Sequence, residues 1–300
     1  MINITGLRMK NPTILAAGIM GTTGAALVRM AHEGAGAVVT KSIGPQPKDG
    51  HSNPSMVKLD HGYLNAMGLP NPSYGAFLPE LEKAKHKAGV PVIASIFGGN
   101  ADEFRKVAEG LIPGKPDAFE LNVSCPHAMG YGASVGTDPV MVKSVTSAVS
   151  EITDLPVWVK LTPNVTDIVT IGKAAQEGGA DAVVAINTVR GMTIDIHSGY
   201  PVLGNRFGGL SGEAIRPVAV KCIYDLYDNL DIPIIGVGGV STWQHAVEMV
   251  MAGASALQIG SAVYEGTNVF SNISEGINRF LKEYGYANIE DITGIAHERF

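Results

Sequence analysis

DIPIIGVGGVSTWQHAVEMVMAGASALQIGSAV (Asp231–Val263) holds a strand, a helix and a second strand in one run. PIIGVG (233–238) is almost continuously apolar and β-branched, the pattern of a parallel strand covered on both faces. In STWQHAVEMVMAGA, Ser241 stands where an N-cap is wanted and Gly253 where a left-handed residue ends a helix. ALQIG (256–260) then repeats the strand pattern.

Working outward, the same unit recurs along the chain. Further strands are read at TILAA (13–17), GAVVTK (36–41), PVIASIF (91–97), AFELNV (118–123), PVWVKL (156–161) and AVVAIN (182–187). Asp138-Pro139 reads as an N-cap and first helical residue, and Gly178-Gly179 follows another helix end. Eight strand–helix units in 300 residues predict an α/β fold, the (β/α)8 TIM barrel, over a doubly wound sheet. No Pro/Ser-rich linker or charge block divides the chain, and the recurrence is architectural, without a sequence repeat. One domain over residues 1–300 is expected.

Composition excludes several classes. Apolar residues are 45% and charged residues only 17%, so the chain can bury enough surface to offset its ordering entropy. The net charge of −6 gives no field for phosphate backbones, which argues against nucleic acid. Glycine, 37 of 300, is about 12% against about 7% on average, without the three-residue period of collagen. Cys125 and Cys222 are the two cysteines, too few for a disulfide framework or a four-thiolate iron–sulfur cluster. No stretch is long and apolar enough to span a membrane and no signal-peptide pattern opens the sequence, so a cytoplasmic protein is expected.

Three βα connections, Ser42–Pro72, Ser124–Thr137 and Val189–Leu210, far exceed the usual 2–6 residues. All three follow the C-terminal ends of strands, so they form a lid over the face where barrels keep their active sites. Gly236, Gly238 and Gly239 at the end of strand seven, with Gly260 and Ser261 at the end of strand eight, sit where barrels often bind phosphate on bare backbone N–H groups. Lys41 and Lys160 close apolar strands and aim ammonium groups at the barrel mouth, as anion clamps, Schiff-base nucleophiles or partners of a carboxylate. Asn65, Asn122 and Asn187 offer the donor–acceptor edge that matches a cyclic imide or a flavin. Cys125 lies on a loop hinged by Gly130, Gly132 and Gly136, which suits a lid carrying a reactive thiol. Its neighbour His127 is poorly placed for an ion pair with it, and Cys222 reads as core.

Together these motifs resemble the flavin-dependent dihydroorotate dehydrogenases. The resemblance rests on Thr40-Lys41-Ser42, Asn65-Ala66-Met67-Gly68-Leu69-Pro70-Asn71, Asn122-Val123-Ser124-Cys125-Pro126, Val159-Lys160-Leu161, Ile186-Asn187-Thr188, Gly208–Gly212, Gly238-Gly239-Val240 and Gly260-Ser261, in family order. It implies one FMN per chain, with its phosphate at Gly238, Gly239, Gly260 and Ser261 and Lys160 near the N1–C2=O edge. Ala17, Gly18, Lys41, Ser42, Ser95, Asn122, Ile186 and Gly212 complete the implied flavin set. Dihydroorotate would meet Lys41, Asn65, the Ala66–Leu69 backbone (Met67 and Gly68 included), Asn122, Asn187 and Thr188, with Cys125 as general base.

The resemblance also implies partners. The cysteine base separates this chain from serine-base, quinone-using members, and TPNVTDIV, IPIIGVGGV and GGLSGEAIRP are closer to the two-subunit, NAD-dependent class. That class implies a homodimer core in a two-plus-two heterotetramer, whose iron–sulfur subunit carries FAD and a 2Fe-2S cluster. Ala17, Ser95 and His127 depart from the commoner Ser, Asn and Asn of relatives. Cys-Pro-His is shared with dihydropyrimidine dehydrogenases acting on uracil or thymine, which, with the fumarate-using homodimers, are the alternative readings.

Overall fold

The computed structural model describes residues 1–124 and 135–299. Eight parallel strands close into a barrel: Thr13–Leu15, Ala37–Val39, Val92–Ile96, Ala118–Asn122, Val157–Leu161, Ala182–Ala185, Ile234–Val237 and Ala254–Ile259. Each falls on one of the eight apolar runs, and neighbours in sequence are neighbours around the barrel. Strands three and five are buried at every position, because the helical ring covers one face and the barrel interior the other.

The helices among the described residues are α1 (Gly24–His32), α2 (Tyr74–Lys87), α3 (Ala101–Leu111), α4 (Pro139–Ser150), α5 (Ile168–Glu177), α6 (Arg216–Tyr227), α7 (Trp243–Met251) and α8 (Val269–Tyr284). Short polar side chains satisfy the free N–H groups at several starts: Thr23, Asn100, Asp138, Asp167 and Thr242 each accept from the first turn. Asp138-Pro139 opens α4 as read, but the cap of α7 is Thr242, not Ser241, whose hydroxyl instead meets Glu213 and His245. After α5 the left-handed residue is Gly179 (φ 92°), while Gly178 stays right-handed (φ −79°).

The N-terminal strands Ile2–Ile4 and Leu7–Met9 form a hairpin whose apolar side chains join the core. Trp158, fully buried on strand five, donates from Nε1 to Thr5 Oγ1 at the hairpin turn, 3.0 Å away. The hairpin thus seals the end of the barrel opposite the long connections.

Those connections contain more order than a lid of loops. Met56–Leu59 and Gly62–Asn65 from the first, with Val189–Gly191 and Gly208–Ser211 from the third, pair into one antiparallel sheet. Its central pairing sets Asn65 opposite Gly209 and Leu64 opposite Leu210. Leu64, Ala66 and Leu203 form a small apolar cluster beneath it.

Candidate active site

A cavity of about 340 Å³ opens at the C-terminal end of the barrel, within the usual size of small-molecule sites. Its walls are strand ends. Ala17 and Gly18 follow strand one, Lys41 and Ser42 strand two, Asn122 and Lys160 lie on strands four and five, and Ile186, Asn187 and Thr188 follow strand six. Gly212, Gly238, Gly239, Gly260 and Ser261 close one end, and Asn65, Ala66, Met67, Gly68 and Leu69 descend from the lid sheet.

Three sequence-predicted residues, Gly236, Cys125 and Ser95, are not among the lining; Gly236 lies within strand seven, where a Cβ would meet Ala254, Ile223 and Met249. Cys125 lies outside the described residues, as do His127, Gly130 and Gly132. Ser95, one of the implied flavin set, is fully buried and sits behind Ser42 rather than on the lining. Its hydroxyl pairs with Ser42 Oγ at 2.9 Å, and its N–H donates to Thr40 Oγ1.

From Ser95 a polar ladder crosses the mouth. Asn122 Nδ2 donates to Ser42 Oγ at 3.0 Å, Asn187 Nδ2 donates to Asn122 Oδ1 at 3.4 Å, and Thr188 N–H donates to Asn187 Oδ1 at 2.8 Å. Ser124 N–H also donates to Asn122 Oδ1. Fixing each amide by its neighbour orients the others, so the wall presents neutral donors and acceptors in set directions. Asn71 braces the descending segment: its Oδ1 accepts from Gly44 and Ser73 N–H and its Nδ2 donates to Leu69 C=O.

The two lysines stand in different surroundings. Lys160 is only 6% exposed; its ammonium donates to Gln258 Oε1 at 3.0 Å and lies 3.9 Å from Glu120 Oε1. Lys41 has no carboxylate within ion-pair distance among the described residues, and burial holds its ammonium below the usual 10.5. A desolvated cation without a counter-ion is an anion site.

The glycine end fits a phosphate. Gly212, Gly238 and Gly239 have φ of 95°, 131° and 77°, a region L side chains rarely adopt. A Cβ on Gly239 would also fall 2.7 Å from Gly212 O and 3.1 Å from Arg216 N, at the start of α6. Bare backbone therefore meets a helix N-terminus, which favours an anion. With an ammonium on the floor and neutral amides on the wall, the residues present fit FMN.

Sequence reasoning did not name Gln258, Glu120, Asn164 or Tyr264, the first and last two of which line the cavity. Asn164 ties two loops together, donating to Thr188 C=O and accepting from Arg190 N–H. A readable signal existed for two of the four. Glu120 in AFELNV and Gln258 in ALQIG are polar residues inside apolar strands, as Lys160 is, and a closed barrel obliges such groups to find one another. Cys222, by contrast, sits half-buried on α6, where burial pushes its thiol up to about 11 and leaves it unreactive near neutrality.

Comparison with known proteins adds the family. The family model described as dihydroorotate dehydrogenase matches residues 1–281. The chain belongs to that family. It is 69% identical over 299 residues to the protein named dihydroorotate dehydrogenase B (NAD(+)), catalytic subunit, of Methanosarcina mazei, covering 99% of this chain and 95% of that one. It is 64% identical over 295 residues to the protein of the same name from Methanocella arvoryzae (98% and 97% covered). With that of Pyrococcus furiosus it shares 52% over 298 residues (99% and 98%). A solved structure of DHODH from Eimeria tenella, in complex with ferulenol, superposes with a TM-score of 0.85 at 24% identity, over 99% of this chain and 88% of that one, a likeness of fold. Among the described residues there is no cluster of three metal-ligating side chains and no helix long and apolar enough to cross a membrane.

Proposed function

We propose that this family member is the catalytic subunit of an NAD-dependent enzyme that oxidises dihydroorotate to orotate in de novo pyrimidine synthesis. The observation that carries the reading is the pairing of Lys41, a partly buried ammonium with no carboxylate in reach among the described residues, with a wall of fixed neutral amides. Dihydroorotate is a cyclic imide bearing one carboxylate, so it neutralises the first and satisfies the second. Uracil and thymine have the imide but no carboxylate and would leave Lys41 uncompensated, which favours the orotate reading over the dihydropyrimidine one. The names of the relatives favour NAD+ over fumarate as the final acceptor.

In this reading Lys41 and the Ala66–Leu69 backbone hold the substrate carboxylate, while Asn65, Asn122, Asn187 and Thr188 hold the ring amides. Cys125 removes the C5 proton, made acidic by the adjacent C4 carbonyl. Gly212, Gly238, Gly239, Gly260, Ser261 and Lys160 would hold FMN, which when bound would supply the acceptor for the C6 hydride. Ala17, Gly18, Ser42 and Ile186 complete its walls. A free thiol has a pKa of ~8.5, so some thiolate is available near neutrality and more as pH rises.

A partner subunit would take the electrons onward. The resemblance to the two-subunit class implies a partner that carries a 2Fe-2S centre and FAD, in keeping with two cysteines here being too few for a four-thiolate cluster. Residues 1–300 act as a single FMN domain, in a homodimer core within a two-plus-two heterotetramer in the cytoplasm. The test is single-turnover reduction of bound FMN by dihydroorotate without oxygen. Cys125→Ala is expected to slow it at least ~10²-fold while retaining FMN; an unchanged rate removes the assignment.

A further inference from the structure

Glu120 is the most completely buried carboxylate facing the barrel interior, and nothing in the proposed chemistry touches it. It lies on strand four two residues before Asn122, so period-two alternation sets it on the same inward face, about 6–7 Å deeper. It is 0% exposed, Gln258 is 1% exposed and Lys160 is 6% exposed. The three come from strands four, eight and five and meet across the barrel axis.

Their bonding has a single polarity. An ammonium only donates and a carboxylate only accepts, so an amide between them must turn its oxygen to Lys160 and its NH2 to Glu120. That is the arrangement found: Lys160 Nζ donates to Gln258 Oε1 at 3.0 Å, and Gln258 Nε2 donates to Glu120 Oε2. The second carboxylate oxygen, Oε1, has no hydrogen-bond partner and stands 3.9 Å from the ammonium. The amide therefore acts as a spacer. It fixes the flexible lysine stem while keeping the ammonium out of direct contact with the carboxylate, and two of its three N–H donors remain for a ligand above.

We propose that Glu120 and Gln258 are positioning residues that hold the Lys160 ammonium at the cavity floor and set how much of its charge reaches the flavin. The inference rests on the reading that FMN occupies this cavity. A negative charge behind the ammonium lowers the pull that Lys160 exerts on the more negative, reduced form of the flavin. Removing that charge at constant shape must strengthen the pull, and removing the spacer must let lysine and carboxylate close on each other and weaken it.

The experiment measures the two-electron potential of bound FMN, by equilibration with a reference dye, in wild type, Glu120→Gln and Gln258→Met. Glu120→Gln is expected to favour reduced flavin at least tenfold, about 30 mV upward for a two-electron couple, and Gln258→Met to shift the potential downward. A Glu120→Gln potential within threefold of wild type overturns the proposal, since a merely structural residue would alter stability and leave the potential alone. A second arm needs no flavin. Lys160→Met leaves Glu120 unpaired, so adding Glu120→Gln to it must raise the melting temperature of the apoprotein; a double variant no more stable than Lys160→Met overturns the pairing. If wild-type protein binds no FMN, the reading of the cavity fails while this second arm still decides the triad.

Discussion

Lys41 and Lys160 are both strand-end lysines facing one cavity, yet the fold treats them oppositely. Lys160 is tied to Gln258 and backed by Glu120, so its charge is compensated from below and its position is set before any ligand arrives. Lys41 is partly desolvated with no carboxylate in reach among the described residues, and its charge waits for one. The difference teaches what each can do. A compensated, fixed ammonium serves a resident cofactor, whereas an uncompensated one favours a ligand that brings its own negative charge and then leaves.

The strongest way to break this comparison is to delete each charge in turn. Lys160→Met strands a fully buried carboxylate and is expected to cost about 3–5 kcal/mol in urea unfolding of the apoprotein. Lys41→Met removes a charge that folding had to desolvate and is expected to leave stability unchanged or slightly higher. Equal losses would show that the two lysines are alike.

Ligand affinity sharpens the contrast. Lys41→Met is expected to weaken orotate binding by about 1.5–3 kcal/mol, the range of a charge-assisted hydrogen bond, in a spectral titration of the FMN-loaded protein. A loss below twofold would remove Lys41 from the anion site. The pH dependence carries the same information in wild type. The Lys41 ammonium is held below 10.5 by burial, so its cation is lost, and orotate affinity falls, before pH reaches the ordinary lysine range. In that interval the unfolded chain binds the extra proton, so stability contributed by this group rises with pH and the weakening is not unfolding. Lys41→Met should show no such limb.

The smallest expected effect is a control. Asp138→Ala removes two hydrogen bonds at the start of α4 and is expected to cost about 1 kcal/mol without altering the contrast between the lysines. A change in orotate affinity there would mean that the wall and the outer helices are coupled.

The barrel was legible because its evidence is local. Runs such as PVWVKL and AVVAIN are apolar throughout, and a strand covered on both faces needs no knowledge of its neighbours to be recognised. The lid sheet was not legible, for the opposite reason. Gly208–Ser211 has two glycines and poor strand propensity, and it is a strand because Gly62–Asn65, more than 140 residues earlier, pairs with it. The place of Ser95 on strand three is visible in sequence, but the Ser42 hydroxyl that pairs with it is not. Glu120 and Gln258 are legible only together with Lys160, which lies on the strand beside Glu120 and across the barrel from Gln258. A polar residue in an apolar barrel strand is half of an observation, and the other half is which strand answers it.

The central claim is that this cavity selects a carboxylate-bearing cyclic imide and takes two electrons from it. The direct measurement is the visible spectrum of the purified, FMN-loaded protein without oxygen, first with dihydroorotate and then, in a separate sample, with dihydrouracil. Dihydroorotate is expected to bleach the flavin and dihydrouracil to leave it oxidised. Flavin that stays yellow with dihydroorotate, or that bleaches equally with both, would contradict the account.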